Sequence, residues 1–340
     1  MTGRARSAPV VVIAHPGAGR GAFQRVWPGV AAGLDEAGVP YAVRLTTRAM
    51  EAAEFARRAV DERATLVLAV GGDGTLHEVV NGLLADDSSA EQLPVVGLVP
   101  AGRGSDYARG LGISSDPNDL ARRFARVVAG EPDAWRPVDA GEVTHRPSRL
   151  IAGRPAPEPP VTAEAEPDDG ERLVRRFMNA AGIGFSPFVA QRTARFPARL
   201  GAYLYTAAAL LTIVDWADRQ VVLRWGDGGV EERAIESIEL SLAGYEGGGM
   251  LVAPGADPTD GLFDAVVVDA TSRTELLTFS WRIRTGDHLR SPRVELRRTP
   301  ALAIDVVDDR GPVYLQADGE LLGRDPFAFR LLPSAVRFVW

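Results

Sequence analysis

Between Leu66 and Thr75 an unbroken apolar run meets Gly71-Gly72-Asp73-Gly74-Thr75, and apolar residues then recur at helical spacing at Leu76, Val79, Val80, Leu83 and Leu84. Strand, glycine loop, helix is a geometry that binds phosphate. Glycines remove the Cβ atoms, so backbone N–H groups can converge on phosphate oxygens, and the helix N-terminus adds its positive dipole end. Thr75 can cap that helix or donate to phosphate. An aspartate in such a loop repels bare phosphate, so Asp73 is expected to meet a Mg²⁺ ion that bridges to it. The plain alternative is a tight glycine turn with Asp73 as a turn residue, and the flanking strand and helix weigh against it.

The same alternation organises the first third of the chain. Val10–Ala14, Tyr41–Leu45, Thr65–Val70 and Val95–Val99 read as strands; helices are expected over Phe23–Leu34, Met50–Asp61, Leu76–Leu84 and Asp119–Val128. Strands alternating with helices of this length predict a parallel, doubly wound sheet. Glycine-rich turns at His15–Arg20 and Pro100–Arg109 then fall on the same carboxyl edge as Gly71–Thr75, where ligands bind in such sheets. After Trp135 the segments become short, β-rich and divided by Gly, Pro or Asp: Arg176–Asn179, Val221–Trp225, Ile238–Ala243, Leu262–Val268, Val294–Leu296, Ala303–Val306, Val313–Gln316 and Val336–Trp340. They predict an antiparallel sandwich-like domain, interrupted by one helix over Arg199–Asp215. The Pro, Ala and acidic segment Arg154–Glu171 cannot bury a core face and is expected to be a disordered loop. The expected fold is therefore α/β plus β: a doubly wound α/β nucleotide-binding domain over residues 1–134 and a mainly antiparallel β-sandwich over 135–340, whose extreme C-terminus packs back on the first domain.

Composition narrows the chemistry. The 340 residues include no cysteine and four scattered histidines (His15, His77, His145 and His288), which excludes thiol chemistry and leaves any metal to oxygen ligands. Every basic residue is arginine, so a Walker-type loop, a Schiff base and a lysine general base are excluded. A net charge of −7 argues against nucleic acid as a partner. The N-terminus lacks a signal peptide, and the nearly uncharged stretch Ala202–Val214 is too short to span a bilayer. A cytoplasmic protein is expected, at most touching the inner membrane face.

Six segments in order resemble the diacylglycerol kinase catalytic family, which takes in bacterial soluble diacylglycerol kinases, sphingosine and ceramide kinases and related lipid kinases. They are Gly71–Leu83, Gly102–Arg109, Asn179-Ala180-Ala181-Gly182-Ile183-Gly184-Phe185, Gly247-Gly248-Gly249-Met250 to Pro254, Asp260-Gly261-Leu262-Phe263-Asp264 and Gln316-Ala317-Asp318-Gly319-Glu320. The resemblance implies an ATP-dependent lipid kinase that phosphorylates diacylglycerol or a related lipid alcohol such as a sphingoid base, with ATP and Mg²⁺ as cofactors. It implies ATP contacts at His15, Gly17, Gly19, Thr46, Gly71, Gly72, Asp73, Gly74, Thr75, Glu78, Gly102 and Arg103. Asp73 matches the aspartate nearest the nucleotide's Mg²⁺, with Asp106 and Asp139 at further acidic positions. Asp260, with the backbone carbonyls of Asp257 and Leu262, matches a second, structural Mg²⁺ site. Glu320 matches the general base. Independently, phosphoryl transfer to an alcohol needs positioning, charge neutralisation and a carboxylate near the hydroxyl.

The chain departs from the family pattern in places. Asn-Pro-x-Ser-Gly becomes His15-Pro16-Gly17-Ala18-Gly19, and Gly-Thr-x-Asn-Asp becomes Gly102-Arg103-Gly104-Ser105-Asp106. Asn-Glu becomes His77-Glu78, and the usual Asp after Gly-Phe is Ser186. Arg103 either clamps a phosphate in place of the lost threonine or fills the site and changes nucleotide preference. The arginines from Arg282 to Arg298, with Trp281 before them, either touch anionic lipid head groups or form a solvated face; Arg192, Arg195 and Arg199 pose the same choice. Two other functions compete: a NAD kinase, which shares the glycine loop and a sandwich, and a non-catalytic nucleotide- or lipid-binding homologue. An exposed sandwich edge would allow a homodimer.

Overall fold

The first half is built on β1 (Val10–Ala14), β2 (Tyr41–Leu45), β3 (Leu66–Gly71) and β4 (Val95–Pro100), parallel and in the order β2-β1-β3-β4. The structure, a computed structural model, describes residues 9–17, 19, 21–85, 90–102, 104–148, 170–193, 212 and 217–340. Arg103, Arg195, Arg199, residues 154–169 and all but Thr212 of the helix expected over Arg199–Asp215 lie outside the described residues, as does the Arg192 side chain.

β1 and β3 are buried along their whole length, as strands covered on both faces must be, and this is why they read as continuous apolar runs. Alternate residues serve opposite faces. Val10, Val12, Leu66 and Leu68 pack under α1 (Ala22–Glu36) and α5 (Pro117–Val128), against Val30, Leu34, Leu120 and Phe124. Val11, Ile13, Val67 and Ala69 pack under α2 (Glu51–Asp61), α3 (Asp73–Leu83) and α4 (Asp106–Gly110), against Ala52, Ala56, Val79, Val80 and Tyr107. Strand order reverses between β1 and β3, so a crevice opens at their carboxyl ends.

The second half comprises β5 (Arg136–Arg146), β6 (Leu173–Phe177), β7 (Ala180–Gly184), α6 (Phe185–Thr193), β8 (Arg219–Trp225), β9 (Val230–Ser241), β10 (Tyr245–Glu246), β11 (Met250–Leu251), β12 (Phe263–Asp269), α7 (Arg273–Arg282), β13 (Val294–Thr299), β14 (Ala301–Val306), β15 (Tyr314–Ala317) and β16 (Glu320–Val339). Its pairings are antiparallel, and those of β9, β7, β15, β16, β14 and β8 return to β9 and close a ring. Ile183, Val221, Leu223, Ile238, Leu240, Leu315 and Phe329 fill its core. At its far end β16 leaves that ring and pairs parallel with β4, Phe338 opposite Val96, so the two halves share one 14-stranded sheet. The α/β-plus-β architecture is the one expected.

Two differences have physical causes. β5 carries proline and charge, and its outward positions hide the alternation of a strand edge-paired to β6 and β16. α7 has only Leu276 buried and therefore little helical periodicity, yet a capping box of Ser272 and Glu275 starts it.

α3 carries the phosphate loop at its N-terminus, and its position is set by its crossing with α2. There a Cβ on Gly82 would lie 2.1 Å from the Ala53 carbonyl oxygen. Gly82→Ala should therefore push the helices apart and lower stability by about 1–3 kcal/mol; urea unfolding of the two proteins measures it.

Candidate active site

Three loops meet at the carboxyl edge. His15 Nδ1 lies 3.2 Å from Thr46 Oγ1, and Thr46 donates its backbone N–H to the Ala14 carbonyl at 2.9 Å. A Cβ on Gly17 would sit 3.1 Å from His15 Nε2. Gly19, at φ 55°, abuts the third loop: a Cβ there would lie 2.1 Å from the Ala101 carbonyl oxygen. Gly72 and Gly102 touch through their backbones, since a Cβ on Gly102 would fall 2.4 Å from Gly72 Cα. The Thr75 hydroxyl folds back over Gly71, 2.2 Å from where a Cβ would stand. Glu78, one turn on, accepts the Ala52 N–H at 3.1 Å and so serves the start of α2.

Asp73 does more than occupy its loop. Its carboxylate accepts the N–H groups of Asp106 and Tyr107, each at 3.1 Å, which satisfies the first donors of α4. Asp106 accepts the Gly248 N–H at 2.7 Å through Oδ2. Among the described residues its buried Oδ1 has no hydrogen-bond partner, and it stands 3.7 Å from Arg109 Nε. A Cβ on Gly104 would lie 3.3 Å from Asp106 Oδ2 and 3.6 Å from Asp73 Oδ2, so the two carboxylates flank one point. Burial pushes both carboxyls above the usual range; at Asp73 the Tyr107 and Asp106 N–H groups oppose it and the charges of Asp106 and Asp318 add to it. Two close, partly desolvated carboxylates with an unfilled oxygen suit a hard divalent cation, which takes one or two carboxylates and completes its shell with phosphate oxygens.

The β15–β16 hairpin delivers Glu320. Its two turn residues, Asp318 at φ 50° and Gly319 at φ 83°, both take the left-handed conformation that a two-residue turn of this kind demands. Glu320 follows the turn, exposed, with Oε1 3.0 Å from where a Cβ on Gly74 would stand. Asp318 turns inward. It accepts the N–H groups of Met178 at 3.1 Å, Asn179 at 2.9 Å and Ala180 at 3.4 Å, and lies 3.0 Å from His77 Nδ1 on α3. The departure at His77 thus falls on a buried tie between the halves.

Asp139 lies apart from this group in its bonding. Its carboxylate accepts the Gly261 N–H at 2.8 Å and the Ser334 N–H at 2.7 Å, while its own N–H donates to the Pro258 carbonyl at 2.7 Å. It therefore holds the Asp257–Leu262 loop. In that loop Asp257 accepts from the Thr259 N–H at 2.9 Å and hydroxyl at 2.6 Å, and Asp260 accepts the Leu262 N–H at 3.0 Å and pairs with Arg298. The Arg298 guanidinium stands beside Asp260 and also reaches toward Asp264, 3.4 Å from its Oδ1. Among the described residues no group of three or more His, Cys, Asp or Glu side chains is gathered to hold a metal.

A further pair of acids was absent from the sequence-based expectations. Glu239 on β9 and Glu246 on β10 face each other beside Ser186, and the Gln316 amide donates to Glu246 while accepting the Gly319 N–H at 3.0 Å. Oε2 of each glutamate is buried without a donor among the described groups. Burial and the Glu246 charge push Glu239 well above the usual range; Glu246 is pushed up to about 7, first by burial, against the Gln316 amide and with the charges of Asp106 and Asp318 adding. A signal existed: Glu239 is the one charge inside the largely apolar run Ile238–Ala243.

A glycine phosphate loop at an α/β switch point, with an acid held over it by a β-sandwich, is the organisation of a phosphotransferase. Residues 9–137 match the diacylglycerol kinase catalytic domain family, and residues 179–340 match the YegS C-terminal NAD kinase beta sandwich-like domain. A diacylglycerol kinase of Bacillus subtilis (strain 168) is 24% identical over 319 residues, covering 94% of this chain and 91% of its own; one of Staphylococcus carnosus (strain TM300) is 24% identical, covering 94% and 90%. The crystal structure of a diacylglycerol kinase from Bacillus anthracis str. Sterne shares the fold, with a TM-score of 0.65 at 18% identity, covering 99% of this chain and 98% of that one. The protein is a kinase of the diacylglycerol kinase catalytic-domain family, and the family implies ATP as its phosphate donor.

Two outcomes follow from the buried acids. Asp318→Ala strips acceptors from several buried N–H groups and should lower the unfolding free energy by roughly 3 kcal/mol or more, measured by denaturant titration. The folded protein also holds a proton at Glu246 that the unfolded chain releases. Its stability should therefore fall as pH rises from the ordinary carboxylate range to about 7, on the order of 2 kcal/mol, and Glu246→Gln should flatten that fall in thermal melts.

Proposed function

We propose that this protein transfers the γ-phosphate of ATP to the hydroxyl of a lipid alcohol, diacylglycerol or a relative such as a sphingoid base, with Glu320 as the general base. The observation that carries this reading is the Glu320 carboxylate, exposed and within contact distance of the phosphate loop at Gly74. The acceptor oxygen attacks the γ-phosphorus as the bond to the bridging oxygen of ADP breaks, and Glu320 takes the hydroxyl proton. Backbone N–H groups of Gly71–Thr75 and the α3 N-terminus receive the phosphates. His15, Gly17, Gly19, Thr46 and Gly102 line the nucleotide side, and Arg109, beside Asp106, adds a positive charge there.

Asp73 and Asp106 would hold Mg²⁺, whose contribution is to neutralise charge on the transferring phosphate. The same two carboxylates set the start of α4, so the metal side of the site and the α4 backbone are one unit. Residues 1–134 are read as the ATP-binding part and 135–340 as the lipid-substrate part. No helix among the described residues is long and apolar enough to cross a membrane.

Labelled ATP, Mg²⁺ and a panel of diacylglycerol, sphingoid bases, ceramide and NAD test the reading. Transfer to a lipid is expected, and transfer to NAD alone would sink it. Glu320→Gln should reduce kcat by about 100-fold or more while nucleotide affinity stays; full turnover in that variant rejects Glu320 as the base. Asp106→Asn should weaken Mg²⁺-dependent nucleotide binding with little effect on binding without the metal, as calorimetry would report.

A further inference from the structure

The outer face of α7 carries an apolar ridge that nothing in the kinase reaction uses. Leu276 anchors the helix on its inner side, whereas Leu277 and Trp281, four residues apart and thus on one face, are 41% and 77% exposed. Trp281 is the most exposed large apolar side chain among the described residues. Arg284 extends the same face, its guanidinium 5.8 Å from the Trp281 ring centroid. Between Arg273 and Arg290 there are four arginines against two acids, in a chain whose net charge is −7. An exposed tryptophan with arginines beside it, on an otherwise acidic protein, matches the chemistry of a bilayer interface with anionic head groups.

The helix is also coupled to the site. Its C-cap residue Ile283 accepts the Leu251 N–H at 2.8 Å through its carbonyl, and its side chain packs on the cluster of Val252, Ala253 and Val266, as do Met250 and Leu289. Met250 and Leu251 form one side of the β10–β11 hairpin, and the turn of that hairpin holds Asp106 through the Gly248 N–H at 2.7 Å. A surface bound to α7 would lie one hairpin away from the carboxylates of the phosphate site.

We propose that the Leu277–Trp281–Arg284 face of α7 docks the protein onto an anionic bilayer, presenting the β10–β11 hairpin and the site behind it to the lipid interface. The proposal rests on the reading of the acceptor as a lipid. Insertion of Trp281 supplies the apolar contact, and the arginines supply an attraction that weakens as salt rises.

Co-sedimentation of the full chain with phosphatidylcholine vesicles, with and without phosphatidylglycerol, tests it. Binding to the anionic vesicles alone is expected, and Trp281→Ala and Arg284→Glu should each weaken it at least about fivefold. Both variants should keep nucleotide binding and phosphorylation of a water-dispersed short-chain diacylglycerol, while losing rate on vesicle-borne substrate. Wild-type binding by both variants overturns the proposal, as does equal binding to neutral vesicles. A shift from dimer to monomer in Trp281→Ala, seen by analytical ultracentrifugation, also overturns it by assigning the face to a second copy of the chain. Charge-selective vesicle binding without phosphorylation of any lipid leaves the docking face standing and sinks the lipid-kinase reading instead.

Discussion

The Asp318 carboxylate is the contact on which the arrangement of the catalytic parts depends. Buried at 8% exposure, it answers three backbone N–H groups at the turn between β6 and β7 and the His77 ring on α3. A buried carboxylate is costly unless its oxygens are filled, and here they are filled from two halves of the molecule at once. The residue that makes this tie is also the first residue of the turn that carries Glu320. The position of the acid over the phosphate loop is therefore fixed by the same group that joins the sandwich to α3. Loss of the tie would release both together.

A similar economy runs through Asp73. A carboxylate in a phosphate loop looks misplaced until its bonds are traced: it starts α4 through the Asp106 and Tyr107 N–H groups, and α4 places Asp106 against Gly248 of the sandwich hairpin. The three glycine loops need to approach one another closely for this to happen. The Gly72–Gly102 and Gly19–Ala101 contacts would be closed to any residue with a Cβ. Glycine here serves loop-to-loop packing as much as it serves the approach of phosphate.

How much of this was legible in the sequence follows from what each signal measures. β1, β3 and β4 are buried on both faces and read as apolar runs, and α1, α2 and α5 show their buried stripe at helical spacing. The loops could be placed on one edge because strand–helix alternation fixes which ends they leave. β5 and α7 were missed because they are half-exposed and carry weak patterns, although the Ser272–Glu275 capping box of α7 was readable. Asp318 and His77 are partners 241 residues apart, and Glu246 meets Gln316 70 residues further on. No local pattern reports such a pairing. Asp139 shows the same limit from the other side: its acidity was visible, but its attachment to Gly261 and Ser334 was not.

The charge distribution explains why a lysine-free kinase can still be acid-rich at its centre. Asp106 and Asp318 raise the proton affinity of Asp73 and of Glu246, and Glu246 raises that of Glu239. A polyphosphate brought to such a place without a counterion would meet repulsion that the glycine N–H groups and Arg109 must offset alone. A divalent ion between the carboxylates and the phosphates reverses the sign of that interaction, so on the proposed reading nucleotide and metal each strengthen the other's binding. Burial raises the proton affinity of both Glu239 and Glu246, which eases the same repulsion beside Asp106.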